Sequence, residues 1–316
     1  MAKLKRSDFL KQNLPYEILR LGSRCNARCL FCNVPTEQYL SRQMSTREAK
    51  AQIERLVLLN KGVRLDITGG EPTIRKDLPG LVRHASRQGI KIIQVQTNGV
   101  LLSDKRYVEN LKAAGLNKVF IGLHSCVPEI HDYLVGLNSA FKKCVKGIKN
   151  SLESDIEVIL NPVITAKNYK TLPDYINFIK ENFSQVKSIS LSVVQPRGRA
   201  WANRSLVPRF AAIGPYIKEA LCLGKRYKIT INNPYCGAPL CIGGWFKYLR
   251  QCVEYCENIV KIKGASWNFC VSQDKIKPAY CVECVLNDFC NGVWREYSLI
   301  YPLSDLKPLK KVRWPT

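Results

Sequence analysis

No run of about 18 apolar residues occurs anywhere in the chain, which leaves no helix able to span a membrane. The first residues, MAKLKRSDFLKQNLPYE, carry charge but no apolar core, so no secretory signal is readable there. Internal repeats are absent, and compositional bias is confined to a basic tail, LKPLKKVRWPT. Acidic residues are scarce, 25 Asp and Glu against 49 Lys and Arg, for a formal net charge of +24. That balance suits a polyanion, an acidic peptide or a phosphorylated small substrate, and equally a solvated lysine-rich surface. The absences together point to the cytoplasm. In that reducing setting fourteen cysteines argue for metal sites rather than structural disulfides.

What is present is alternation. Short β-rich runs at Tyr16–Leu21, Arg64–Thr68, Lys91–Thr97, Lys118–Leu123, Glu157–Ile164 and Ser188–Val194 read as six strands. Helical patterns lie between them, near Leu78–Gln88, Asp104–Ala114, Phe141–Ser151 and Leu172–Phe183. The stretch STREAKAQIERLVLLN opens on Ser45 with Glu48 three residues on, a capping-box pattern. The expected fold is α/β, a partial (βα)6 TIM-like barrel with its chemistry on the loops after the strands. The alternation stops in QPRGRAWANRSLVPRF, which places a boundary near residue 205. Residues 1–205 would form the barrel and 206–316 a small cysteine-rich appendage holding nine of the fourteen cysteines. A helix around Pro208–Leu223, a strand at Tyr227–Ile231 and a helix around Trp245–Glu257 are expected in that appendage.

Directly after the first strand comes SRCNARCLFC, with Cys25, Cys29 and Cys32 on one loop. A structural zinc site wants four ligands. Three thiolates suit instead a cube of four irons in which one iron has no protein ligand. The C-x3-C-x2-C spacing, with Phe31 before the third cysteine, resembles the signature of the radical S-adenosylmethionine (radical SAM) enzymes. The resemblance implies that the open iron of a [4Fe–4S] cluster chelates SAM, whose cleavage yields a 5′-deoxyadenosyl radical that abstracts hydrogen from a substrate. The alternative is a zinc knuckle that borrows a distant ligand.

Further matches follow at the strand ends. Gly69, Gly70 and Glu71 resemble the family's GGE motif, which implies a contact to the SAM amino group. Thr97 and Asn98, with Gly99, are similar to its TNG element near the methionine and ribose. Ser125 stands where relatives carry a ribose contact, with His124 on the same rim. Relatives often have Arg-Gly after the His-Asp pair, whereas this chain has Val135-Gly136 after His131 and Asp132, which shape a loop or cap a helix. His84 is expected to be solvated, and Gln195, Arg197 and Arg199 to face the cofactor or an anionic group, or to form a linker.

Near the far end, Cys281, Cys284 and Cys290 form C-x2-C-x5-C, with Cys236 and Cys241 upstream in a Pro/Gly frame. The group resembles the twitch or truncated SPASM appendage of many radical SAM enzymes. That resemblance implies an auxiliary [4Fe–4S] cluster, with Cys236 as the favoured fourth ligand and Cys241 as the alternative. The full pattern would put a further cysteine where Trp294 stands. A zinc site fits C-x2-C as well. Cys252, Cys256 and Cys270 are read as buried thiols or as part of a second auxiliary cluster, Cys144 and Cys222 as core, and Cys126 as facing the substrate.

The functional expectation is reductive SAM cleavage and hydrogen abstraction from an anionic small molecule or a peptide, with an electron donor of flavodoxin or ferredoxin type. A maturase of ribosomal peptides would need a separate recognition partner, since about 15 residues precede the first strand. A reading of another class is a zinc-stapled nucleic-acid-binding protein. Against it, no basic stripe with interleaved aromatics is visible.

Overall fold

A computed structural model describes residues 16–34, 43–59, 64–262 and 274–312. The first strand, β1 (Tyr16–Arg20), is followed by α1 (Thr46–Leu59) and β2 (Arg64–Thr68). Helix α1 starts at the expected capping box: Glu48 Oε2 accepts from the Ser45 amide at 2.7 Å and Ser45 Oγ from the Glu48 amide at 3.2 Å. The alternation continues through α2 (Leu78–Arg87), β3 (Ile92–Thr97), α3 (Lys105–Ala114) and β4 (Lys118–Ile121). Next come α4 (Pro128–Val135), α5 (Ala140–Glu153), β5 (Glu157–Leu160), β6 (Val163–Ile164), α6 (Leu172–Asn182), β7 (Ser188–Ser190) and β8 (Ser192–Val193). Helix α4 escaped the periodicity because it is only eight residues long, although Pro128 at its first turn is a helix-start signal.

The main sheet is entirely parallel, in the order β1-β2-β3-β4-β5-β7-β9, where β9 is Thr230–Asn232. A sequential parallel order with right-handed crossovers puts every helix on one face and curls the sheet toward a barrel. Two expectations are corrected by that order. The sheet has seven strands rather than six, and the barrel runs past residue 205, because α8 (Phe210–Tyr227) packs beside α6 and delivers β9 to β7. The intervening chain, a short helix α7 (Arg199–Ala202) and turns, interrupts the pattern without ending the sheet. The expected helix at Trp245–Glu257 begins later, as α9 (Val253–Ile262), with 3-10 turns before it. The appendage also holds one antiparallel pair, β10 (Lys275–Ile276) with β11 (Val293–Trp294).

Alternation along each strand sorts the side chains onto two faces. Leu65, Ile67, Ile93, Val95, Val119 and Ile121 are fully or almost fully buried against helix residues such as Ile53, Leu81 and Val108. The other face carries a polar row, in which Asp66 pairs in register with Gln94, Gln94 with Lys118, and Lys118 with Glu157, beside apolar Phe120 and Ile159. Gln96 donates to Asp66 and accepts from Thr68 Oγ1 at 3.1 Å. The lumen face thus mixes a hydrogen-bonded layer with apolar side chains.

Burial pushes the Asp66 carboxyl up to about 6, against hydrogen bonds from Gln94 and Gln96 and the nearby Arg20. The unfolded chain ionises this group near its ordinary value of about 4. Between those values the folded state holds the extra proton, so stability falls as pH rises. The loss levels off above about pH 6 at roughly 3 kcal/mol. Asp66→Asn is accordingly expected to melt at a higher temperature than the wild type at about pH 8 but not at about pH 4. Equal melting temperatures of the two proteins at the higher pH would exclude this buried charge.

Among the described residues no helix is long and apolar enough to cross a membrane.

Candidate metal centres at the carboxyl rim

The three-cysteine loop is fastened on three sides. Toward β2, the Gly70 amide donates to Gly22 O at 2.6 Å and the Glu71 amide to Arg24 O at 2.8 Å. These contacts need glycine. A Cβ on Gly70 would lie 2.1 Å from Arg24 O, and Gly69 has φ +135° with its Cβ position 2.4 Å from Gly22 O. Toward α4, the Arg28 and Leu30 amides donate to Val135 O and Leu134 O, each at 2.9 Å. Val135, in the place of the familiar arginine, packs with Val100 and Ala140 beside Cys29. Toward the segment after β8, the Arg199 amide donates to Cys32 O at 2.9 Å, Asn203 Nδ2 to Leu30 O at 3.2 Å and Asn33 Nδ2 to Gln195 Oε1 at 3.1 Å.

The thiols held there act on one another. Burial, then the neighbouring sulfurs of Cys32 and Cys25, push the Cys29 thiol up to about 12. Burial also raises Cys25, offset by the Ala27 amide that donates to its Sγ at 3.3 Å. The Arg199 guanidinium opposes both shifts, and its Nη1 comes within 3.5 Å of Cys29 O. Three thiolates with one nearby guanidinium repel unless positive charge is placed between them, and iron supplies it. Glu71 cannot serve as a fourth ligand, because its carboxylate faces inward and accepts from the Thr73 amide, Thr73 Oγ1, Thr97 Oγ1 and the Asn98 amide at 2.6 to 3.0 Å. Among the described residues no three His, Cys, Asp or Glu groups converge tightly enough for a single metal ion. A cube does not require that, since its thiolates sit on different irons. The donor set thus fits a four-iron cube with one iron open.

The other expected cofactor residues form the frame of the rim. Asn98 Nδ2 donates to Asn26 Oδ1 at 2.7 Å and Thr97 Oγ1 accepts from the Gly99 amide at 3.0 Å, so Glu71, Thr97 and Asn98 lock the cysteine loop to β3. What Gly69 and Gly70 offer a ligand is backbone alone. Phe31 sets its ring edge-on to His124 at 4.9 Å. Ser125 is 2% exposed and its hydroxyl accepts from the Val127 amide at 3.0 Å, at the entry to α4. His124, also buried, lies against Gly122 and lines the same small cavity, and its Nδ1 accepts from the Val163 amide at 3.3 Å. His131 Nδ1 accepts from the His124 amide, and burial holds the His131 imidazole down at about 4, so both histidines stay neutral. Asp132 accepts from the Phe141 amide at 2.7 Å and shapes the start of α5. His84 is not simply solvated, since its Nε2 lies 3.0 Å from Glu54 Oε1.

A second set of thiols gathers in the appendage, with an exchange of partners. Cys241, not Cys236, lines one cavity with Cys281, Cys284 and Cys290, walled by Leu240, Leu286, Leu306 and Leu309. Burial pushes Cys241 up to about 12, opposed by a Lys307 backbone hydrogen bond and reinforced by the sulfurs of Cys290, Cys281 and Cys284. Cys290 is pushed up to about 11 by burial, then by Glu254, against amides of Leu240 and Gly292. The Leu309 amide donates to Cys284 Sγ at 3.3 Å. Four thiols, several with amide donors, fit a fully ligated cube.

Cys236 lies elsewhere because a turn closed by Gly237 N to Pro234 O sends it back to the barrel. There its Sγ is 3.3 Å from Ser192 Oγ and its carbonyl accepts from the Val193 amide. Buried Leu240 and Ile242 flank Cys241 and seat it; that apolar bracket was the available signal.

Of the remaining cysteines, Cys252 and Cys256 donate to the carbonyls of Tyr248 and Arg250, and Cys270 lies outside the described residues. Cys144 is core, Cys222 is exposed rather than core, and Cys126 Sγ is directed at Thr171 O. Arg197 and Arg199, two residues apart, point opposite ways. Arg197 reaches the appendage, bonding Asp274 at 2.9 Å and Glu296 at 2.8 Å and lying 4.9 Å over Trp294, while Arg199 meets the cysteine loop.

Residues 19–179 match the radical SAM superfamily. The chain is 32% identical to the Fe-coproporphyrin III synthase of Methanosarcina barkeri, over 96% of its own length and 79% of that protein's. It is 29% identical to the GTP 3',8-cyclase of Peptoclostridium acidaminophilum, over 80% and 78%. Among solved structures, native anSMEcpe with bound AdoMet superposes with a TM-score of 0.62 at 15% identity, over 88% of each chain.

Proposed function

The chain belongs to the radical SAM superfamily, and from that premise we propose an enzyme that turns SAM cleavage on a polyanionic small molecule, with a second iron–sulfur cube in its appendage. The observation that carries the proposal is the contrast between the two thiol sets. Three thiols stand on the rim with Glu71, the nearest carboxylate among the described residues, turned away, and four line one cavity in the appendage. When bound, the open cube and SAM supply the electron and the 5′-deoxyadenosyl radical that takes hydrogen from the substrate.

The protein's own part is to hold and orient. Cys25, Cys29 and Cys32 are the ligands of the first cube, and Cys241, Cys281, Cys284 and Cys290 those of the second. Glu71, Thr97 and Asn98 fix the loop so that its sulfurs do not shift between states, and Phe31 wedges it against His124. Arg199 places a cation beside the first site, suited to a carboxylate held there. Beyond the rim, Asn161, Ser190, Ser192 and Asn232 give the β5–β7–β9 side a polar wall of small groups. A polyanionic substrate is supported by the net charge of +24 and by relatives whose names carry GTP and a coproporphyrin, both polyanions. The reading brings with it a one-electron donor of flavodoxin or ferredoxin type and a reducing, cytoplasmic setting. It also displaces the zinc-stapled nucleic-acid binder.

Anaerobically reconstituted protein is expected to hold about eight irons with matching acid-labile sulfide, and to release 5′-deoxyadenosine from SAM under dithionite. Zinc with little iron, or SAM left intact by iron-loaded protein, would defeat the proposal.

A further inference from the structure

Exposed apolar side chains concentrate on the loop that carries two of the appendage thiols. Tyr280, Val282 and Val285 are among the ten large apolar residues described as exposed, and they fall within six positions of one another. Val282, between Cys281 and Cys284, is 74% exposed. The loop that presents it is tied down. The Cys284 amide donates to Cys281 O at 3.0 Å, the Val285 amide to Leu309 O at 2.9 Å, and Tyr280 Oη to Leu303 O at 2.6 Å. A fixed loop showing apolar groups to water points to a surface that is covered in use.

The rim of this surface is basic. Lys277 and Lys307 border the four-thiol cavity, and Lys310 and Lys311 follow Leu309, whose carbonyl holds the loop at Val285. The carboxylates close by are Glu283, already paired with Lys310, Asp288, and Asp305, which is buried and paired with Arg209. An apolar centre with a charged rim is the make-up of a specific but transient protein contact. Its charge selects an acidic partner, and its place over the thiols selects a redox one.

We propose that this face docks a small acidic one-electron carrier protein, which exchanges an electron with the cube held by Cys241, Cys281, Cys284 and Cys290. The proposal rests on the auxiliary-cube reading given above. In the exchange the reduced carrier loses one electron and the cube gains it; no bond forms or breaks and no proton moves. Run in reverse, it carries away an electron left by a net oxidation. A second copy of this chain is a poor occupant, because a two-fold contact would set lysines against lysines on molecules of net charge +24.

The test uses holoenzyme and flavodoxin, with dithionite as a small reductant that needs no docking. Flavodoxin binding, followed by calorimetry, is expected to weaken with added salt and to weaken about tenfold in the double variant Lys310→Glu/Lys311→Glu. Cube reduction by flavodoxin hydroquinone should slow in parallel, while iron content and reduction by dithionite stay at wild-type values. Val282→Asp should weaken binding likewise, without touching the lysines.

Eight-iron protein that binds and is reduced equally well in all variants overturns the docking proposal alone. So does a dimer in sedimentation that Val282→Asp dissociates. Wild-type protein with only about four irons would instead fail the auxiliary-cube reading itself.

Discussion

Alanine at Cys25, Cys29 or Cys32 is expected to abolish 5′-deoxyadenosine formation and to lower the iron content from about eight to about four per chain. In the proposed site the three sulfurs are the ligand set, and Glu71, the nearest carboxylate among the described residues, is committed to Thr73, Thr97 and Asn98. Among the described residues no neighbour is placed to replace a lost thiolate, so a cube left on two ligands should not survive. The fold should survive, because the loop is held by backbone and side-chain hydrogen bonds to Gly22, Arg24, Val135 and Gln195 rather than by its sulfurs. Iron analysis, the visible spectrum and product chromatography on anaerobic protein make the measurement, with circular dichroism as the control for folding. A folded variant that still cleaves SAM would remove these cysteines from the site.

The second large effect separates two cysteines five positions apart. Cys241→Ala should lose the appendage cube, about four irons, and keep SAM cleavage, whereas Cys236→Ala should keep all of its iron. Cys241 is buried beside the sulfurs of Cys281, Cys284 and Cys290, while Cys236 faces Ser192 at the barrel rim. Losing one of four thiolates leaves an iron without its protein ligand at a cavity walled by leucines, where little else can coordinate it. Mössbauer or electron paramagnetic resonance spectra of the two variants distinguish the cubes. The reverse pattern, with iron lost from Cys236→Ala alone, would restore the Pro-x-Cys ligand expected from sequence.

Both expectations bear on how the two sites communicate. Arg197 and Arg199 flank Gly198, whose φ of +57° turns the chain so that one arginine reaches the appendage and the other the cysteine loop. The rim thus borders a segment anchored in both units.

Much was legible without coordinates because it is local. Loop spacing of Cys25, Cys29 and Cys32, the glycines at 69 and 70, the capping box at Ser45 and Glu48, and the two-residue alternation of the strands each act over a few residues. Chain chemistry at that range, turns, caps and side-chain periods, is written in consecutive letters. From it followed the parallel α/β barrel, the open three-thiol loop and the existence of a second thiol group.

Tertiary structure alone decided the rest. Pairing of β9 with β7 moved the barrel's end past residue 205, since a strand of three residues has no pattern of its own and is defined by its neighbour. Ser125 is buried with its hydroxyl on the Val127 amide, a local contact that the strand-end position by itself does not specify. Which of Cys236 and Cys241 faces a loop 40 residues later depends on the turn between them, and burial of Leu240 and Ile242 seats Cys241 in the cavity with Cys281, Cys284 and Cys290. Ligand type and spacing belong to the sequence, but which distant groups meet is set by packing, which sums many weak contacts that no local pattern records.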